Sequence, residues 1–247
     1  GAEVGRVYAW NTAGSIAGSL LAGFLLVELL GSERTLALTC LGSACLGLAG
    51  LALASGRLFR PLAGGTALVL ALVIPLLTPD WDLYRMTTGI SQLLRDRRKI
   101  GTGVDPASMV VGVNNPDIRV VFYREGRSST VTVVREWSEY WLRVDGKTDA
   151  STSRTDMVTQ VLLGQLPMFF AREPRDACVI GFGSGVTSHA VLTHPVRRLD
   201  NIEIERQVVE ASSYFDPVSH RPLADPRSRL ILDDARDRKS TRLNSSH

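Results

Sequence analysis

Cysteine is nearly absent from this chain, and the few present build no framework. The three residues, Cys40, Cys45 and Cys178, show no C-x-x-C pair and no histidine at zinc-ligand spacing, which excludes a disulfide scaffold and a structural zinc site. Cys40 and Cys45 fall in an apolar segment and Cys178 in a strand pattern, so all three are expected to pack rather than ligate. A net charge of +3, from 28 Lys and Arg against 25 Asp and Glu, is too small and too dispersed for a nucleic-acid surface. Charge is also missing locally. Val7 to Leu30 carries only Glu28, while Thr35 to Ser55 and Pro61 to Pro79 carry none.

Each of these three segments approaches the roughly 20 apolar residues that span a bilayer as a helix. The sequence therefore predicts a membrane region over residues 1–79 with three transmembrane helices. The short polar connections Gly31-Ser-Glu-Arg34 and Gly56-Arg-Leu-Phe-Arg60 read as hairpin turns. In the first helix Gly14, Gly18 and Ala22 recur at four-residue steps, a smooth side for close helix packing. Asn11 and Thr12 suit polar packing better than a transport path, and Glu28 near the helix end suits interfacial water. Arginines occur on both sides of the three segments, so the positive-inside rule leaves orientation open.

Residues 80–150 have a different texture. The basic run Arg95-Asp-Arg-Arg-Lys99 fits either anionic headgroups or a solvated linker. Val120–Tyr123, Thr130–Val134 and Tyr140–Val144 are short β-branched and aromatic runs, the last ending at Asp145-Gly146. That is hairpin patterning, and it predicts a small antiparallel β unit. A helix from about Thr155 to Leu166, stopping at Pro167, should lead into an α/β region over 151–237.

That region carries the most informative motif. Ala177-Cys-Val-Ile-Gly-Phe-Gly-Ser-Gly-Val186 reads as a strand, a glycine turn and a helix, and Asn201-Ile-Glu-Ile-Glu205 as a second strand ending in acid. Gly181, Gly183 and Gly185 permit a sharp turn and a close ligand approach. Glu203 lies at roughly the ~20-residue offset at which an acid meets ribose hydroxyls. The pattern predicts a nucleotide-binding half-site. His189 and His194 flank the helix that follows, where surface or capping roles are expected.

Tyr123-Arg-Glu-Gly126 with Thr130-Val-Thr-Val133, Leu142-Arg-Val-Asp-Gly-Lys147, Asp156 through Gln160 to Leu166-Pro167, the glycine turn and Glu203 together resemble spermidine synthases. Val7-Tyr-Ala-Trp-Asn-Thr-Ala-Gly14 and Ala22-Gly-Phe-Leu-Leu26 resemble the membrane region of bacterial members in which a multi-helix segment precedes the synthase-like domain. The fold this implies is transmembrane α-helices, a small antiparallel β unit and a truncated α/β Rossmann-like domain of the S-adenosylmethionine-dependent methyltransferase type. The activity implied is aminopropyl transfer from decarboxylated S-adenosylmethionine to a diamine such as putrescine, with no metal. The reaction is an in-line displacement beside a sulfonium, so the protein must chiefly orient a deprotonated amine among carboxylates.

By the same resemblance Gly181, Gly183, Ser184 and Gly185 form the cofactor-binding turn, Glu203 binds ribose, Asp234 contacts the adenine amino group, and Gln160 with Thr159 belongs to the substrate pocket. Several positions depart from the family. Ser184 stands where it has an aspartate that holds the aminopropyl amine. Thr159 replaces a tyrosine, Val161 a glutamate and Ser129 a glutamine. The catalytic aspartate is expected beyond Asp237, so this stretch alone is not expected to catalyse transfer. Gly1 without methionine predicts sequence upstream, and 238–247, without apolar periodicity, is expected to be a non-native tail. Two alternatives stay open: an S-adenosylmethionine-dependent methyltransferase, and a non-enzymatic nucleoside or polyamine sensor coupled to the helices. The resemblance further implies a multi-pass protein of the bacterial inner membrane, in contact with the lipid bilayer, its soluble domain on the cytoplasmic face, and a homodimer.

Overall fold

The computed structural model describes residues 2–54, 65–66, 69–70, 73, 81–88, 117–126 and 129–236. The basic run 95–99 and the tail 238–247 lie outside them. The chain divides into two compact units, Gly1–Trp81 and Asp82–His247.

In the first unit, α1 spans Ala2–Leu30 and passes through a π turn at Ala22–Leu26. Gly31, at φ 82°, ends it, and α2 follows over Ser32–Ala54. The hydroxyls of Thr12, Ser15 and Ser19 donate to the carbonyls four residues back, at 2.8 to 2.9 Å. These side chains thereby satisfy their own donors without needing water. Among the described residues one helix, Ala2–Leu30, is long and apolar enough to cross a membrane, against three expected. The second expected segment is helical as α2, Ser32–Ala54. The third, 61–79, lies largely outside the described residues. Among the described residues, a Cβ at Gly14 or Gly18 would meet nothing within 4 Å.

The second unit begins with a short helix, α3 (Leu83–Thr87). An antiparallel sheet follows in chain order: β1 (Ile118–Glu125), β2 (Thr130–Glu136), β3 (Glu139–Val144) and β4 (Lys147–Ser151). Asp145 and Gly146 both take positive φ, 48° and 75°, the two-residue turn whose twist matches the strands it joins. It leads into β4, a fourth strand the sequence pattern did not reveal. Arg143 on β3 is fully buried, donates to Glu136 at 2.6 Å and to the Thr88 hydroxyl at 3.2 Å, and lies 5.5 Å from the Tyr84 ring centre. Those contacts seat α3 on the sheet.

Beyond the sheet, α4 (Arg154–Phe170) leads to β5 (Asp176–Ile180), α5 (Val186–Leu192), β6 (Arg198–Glu203), α6 (Arg206–Ala211), α7 (Asp216–Ser219) and β7 (Ser228–Leu232). The helix α4 does not stop at Pro167 as expected. It continues to Phe170, and Ala171 N–H bonds back to the Pro167 carbonyl at 3.0 Å. A proline this near the helix end removes one internal bond, a loss the final turn tolerates. Strands β5, β6 and β7 form a parallel sheet in that order. Cys178, expected to be buried, is exposed on β5, because alternation along the strand turns Ala177 and Val179 inward instead.

Two apolar clusters hold this unit. Met168, Val179, Val191, Leu192, Val196 and Leu199 pack on one face of the parallel sheet. At Gly164 a Cβ would lie 2.6 Å from the Thr187 carbonyl oxygen, so only glycine lets α4 approach α5 this closely. Val131, Val133, Leu142 and Ala150 of the β unit share the other cluster with Val208, Ala211 and Phe215. Arg227 closes the end of α5: its guanidinium donates to the Leu192 and His194 carbonyls at 2.9 and 3.1 Å while paired to Asp225. That side-chain hydrogen bond holds the Asp225 carboxyl below its usual range.

Truncating the fully buried Phe215 to alanine should cost about 3–5 kcal/mol. Hydrogen exchange should show lost amide protection in β2, β3 and α6, with β5 and β6 protected by their own cluster. Uniform loss across both sheets would show that the two clusters melt as one.

Candidate functional site

The site is built where β5 ends. Gly181, Gly183 and Gly185 all adopt positive φ, at 84°, 54° and 81°, conformations that side chains with a Cβ rarely accept. Gly181 N–H donates to the Ile202 carbonyl at 2.8 Å, fastening the turn to β6. A Cβ at Gly181 or Gly183 would meet nothing within 4 Å, so both backbones face open space. Gly185 is enclosed, with Pro222 Cγ 3.0 Å from where its Cβ would be.

Glu203 stands at the end of β6, 7% exposed. Its Oε2 accepts from Phe182 N–H at 2.8 Å, and its Oε1 accepts from Ile204 and Glu205 N–H at 2.9 and 3.0 Å. A carboxylate offers about four lone-pair positions. Three are occupied, and the remaining position belongs to Oε2.

The turn and Glu203 form one wall of a cavity of about 420 Å³. Its other walls come from Ser129, Leu142, Val144 and Asp149 of the β unit and from Ile204, Glu205 and Val208. Glu205, 7% exposed, accepts from the Ser129 hydroxyl at 2.8 Å. Gly126 lies against that carboxylate, where a Cβ would be 2.6 Å from Oε1. Asp149 pairs with Lys147 at 3.0 Å.

Of the residues expected at the site, the cavity brings together Gly181, Gly183 and Glu203. Ser184 and Gln160 sit apart from it and satisfy one another: the buried Ser184 hydroxyl donates to Gln160 Oε1, and Gln160 Nε2 donates to the Ser151 carbonyl at 2.9 Å. Thr159, expected in a substrate pocket, is exposed with its hydroxyl turned back to the Thr155 carbonyl at 3.2 Å and is outside the cavity lining. One helical step of about 100° separates it from the inward side of Gln160. Asp234 follows β7, accepts from Arg236 N–H at 2.8 Å and is outside the cavity lining. Asp149 and Glu205 were not anticipated. The spacing of Glu203 and Glu205 at the strand end was the one available signal for the latter.

Outside the cavity, His189 on α5 stacks with His220, ring centres 4.5 Å apart. His194 pairs with Gln165 Oε1 at 2.6 Å and meets the Phe169 ring edge-on. Among the described residues no group of three or more His, Cys, Asp or Glu could hold a metal.

A glycine turn between a parallel strand and a helix, with an acid ending the next strand, is the arrangement of half a Rossmann-like fold. Residues 156–237 match the family described as the spermine/spermidine synthase domain. A polyamine aminopropyltransferase of Thermoplasma volcanium is 34% identical over 94 residues, 38% of this chain and 34% of that protein. The corresponding enzyme of Archaeoglobus fulgidus is 30% identical over 96 residues, 39% of this chain and 35% of that protein. Putrescine N-methyltransferase 3 of Nicotiana tabacum is 33% identical over 81 residues, 32% of this chain and 20% of that protein. A solved spermidine synthase from Thermotoga maritima aligns at a TM-score of 0.44 with 24% identity, covering 47% of this chain and 42% of that chain. The chain thus spans about a third of the length of the aminopropyltransferases it matches.

Burial, and then the neighbouring His220, holds the His189 pKa below its ordinary value of 6.5. The folded chain therefore binds fewer protons than the unfolded one just below pH 6.5, so stability is full above that value and falls as the pH drops toward the lowered pKa. Thermal melting of His189→Gln should lose this acid-side decline between pH 7 and 5 relative to the parent. An unchanged pH profile would remove His189 as its source.

Proposed function

We propose that the second unit binds an adenosine-type nucleoside in the cavity between the glycine turn and the β unit, and that the intact protein is a spermidine synthase-like transferase. The observation that carries this reading is the open backbone of Gly181 and Gly183 beside Glu203, within the segment that matches the synthase domain. The residues fit such a ligand. Two glycine backbones leave room for close approach, the free lone pair on Glu203 Oε2 suits one ribose hydroxyl, and Leu142, Val144 and Val208 offer an apolar surface. The co-substrate is decarboxylated S-adenosylmethionine and the acceptor a small amine such as putrescine.

Within this reading the chain's own contribution is placement. The carboxylates on the cavity wall favour a cationic partner over an anionic one. In this reading Asp234 contacts the adenine amino group, and the α1 region anchors the protein in a bilayer with the second unit on the cytoplasmic side. A second reading, S-adenosylmethionine-dependent N-methyl transfer to an amine, draws on the neutral Ser184 in the turn and on the similarity to putrescine N-methyltransferase. Mass spectrometry of the intact protein's products from putrescine separates the two: an added aminopropyl group supports the first, an added methyl group the second.

Calorimetry with 5′-methylthioadenosine should show binding to the parent chain and none to Glu203→Ala. Unchanged affinity in that variant would remove the half-site. In spheroplasts expressing the protein, external protease should leave the second unit intact, and cleavage would place it on the opposite face.

A further inference from the structure

We propose that His189 and His220 form a proton-sensitive latch on the glycine turn, whose release in acid weakens nucleoside binding. The effect on binding rests on the reading that a nucleoside occupies the cavity; the latch itself does not.

The latch is a two-point contact between α5 and the segment that follows α7. Gly185 caps α5 and His189 lies four residues on, so the two share one face of its first turn. His189 N–H donates to the Gly185 carbonyl at 2.9 Å. His220 covers one point, its ring centre 4.5 Å from that of His189 and the two planes tilted by 39°. Pro222 covers the other, with Cγ 3.0 Å from where a Gly185 Cβ would be. Gly185 is the last glycine of the turn, so whatever seats Pro222 also seats the exit of the turn into the helix.

The segment between these two contacts is strained. His220 and Arg221 are consecutive residues with a Cβ at φ 55° and 53°, a conformation that persists only where surrounding contacts impose it. His220 N–H donates to the Asp216 carbonyl at 3.0 Å, Arg221 Nε donates to Asp216 Oδ2 at 2.8 Å, and the two imidazoles pack together. The last of these contacts is made by the side-chain type that ordinarily changes charge between about pH 5 and 8.

Two neutral rings stack without penalty, whereas two imidazolium rings at this separation repel. Charged side chains on the elements packed against α5 are held in pairs of their own: Asp216 with Arg221, Arg198 with Asp200 on β6, and Asp225 with Arg227. Asp176 of β5 acts on Arg198, Asp156 of α4 accepts the Ser151 hydroxyl, and Glu203 takes three backbone N–H groups. His194, past the end of α5, bonds Gln165. His220 is the charge that acts on His189, adding to the effect of burial. As the pH falls, charge on both rings opens their contact, the strained segment relaxes, and Pro222 withdraws from Gly185. Above neutrality the latch is closed.

The test measures 5′-methylthioadenosine binding to the full chain by calorimetry at about pH 7.5 and 5.5, either side of the ordinary imidazole range. The parent should bind about fivefold more weakly in acid, the scale of one exposed charge interaction. His220→Asn, which keeps a residue suited to positive φ, should match the parent at the higher pH and hold that affinity within about twofold at the lower. Hydrogen exchange, corrected for intrinsic rates, gives a readout without ligand. Residues 181–185 should lose protection in acid in the parent and keep it in His220→Asn, with β5 and β6 protected in both. A parent affinity unchanged by pH, or an acid response retained in His220→Asn, overturns the latch and leaves the nucleoside site standing. A parent that binds no nucleoside at the higher pH overturns the nucleoside reading, and exchange over 181–185 that ignores pH overturns the latch as well.

Discussion

The convergence of three backbone N–H groups on the Glu203 carboxylate is the contact on which the site's geometry depends. Phe182 belongs to the glycine turn, while Ile204 and Glu205 lie between β6 and α6. The same residue's carbonyl accepts from Asp233 N–H at 3.0 Å, just past β7. One buried acid thus gathers the ends of all three parallel strands. Each of those donors, if left without an acceptor in a buried site, would cost about 1–3 kcal/mol. The turn is consequently held in shape before any ligand arrives, which lowers the ordering cost of binding.

The cavity stays open because its two sides share a core. Val208, on the helix that follows Glu205, packs with Val131, Val133 and Leu142 of the β unit, and both Val208 and Leu142 also line the cavity. Tyr214 reinforces the union by donating its hydroxyl to the Val121 carbonyl at 2.7 Å. The antiparallel sheet and the parallel sheet are therefore registered through α6 and the Phe215 region. A change in the packing of that cluster would shift Ser129 and Asp149 relative to Glu203, even though none of the three belongs to it.

How much of this was legible in the sequence follows from the range of the forces involved. The glycine turn could be read because positive φ is a local demand that glycine alone meets without strain, and the alternating strands could be read because burial on one face imposes a period of two. The fourth strand escaped notice because Lys147-Thr-Asp-Ala-Ser151 is mostly polar, and only its pairing with β3 makes it a strand. Pro167 looked like a helix stop because the rule describes the average interior position, whereas here it occupies the final turn. Of the β-unit side of the cavity, the sequence singled out Ser129 but not what it would meet. Ser129 meets Glu205 across 76 residues of sequence, a juxtaposition set by tertiary packing. Ser184 was expected in the cofactor turn and Gln160 in a substrate pocket, but their mutual hydrogen bond, which keeps both apart from the cavity lining, depends on how closely α4 approaches α5.

The order of the parallel sheet has a consequence for handling the protein. Its outer strands, β5 and β7, carry no further paired strand among the described residues, and both end in exposed apolar side chains, Ile180 at 73% and Leu232 at 41%. Open parallel edges present rows of unpaired N–H and carbonyl groups that template other chains. Residues 82–236 expressed alone would accordingly tend to self-associate through edge pairing as concentration rises, and Cys178 on the exposed face of β5 could then lock such contacts covalently under oxidising conditions. Colloidal behaviour, more than fold stability, would set the concentration at which this unit can be studied.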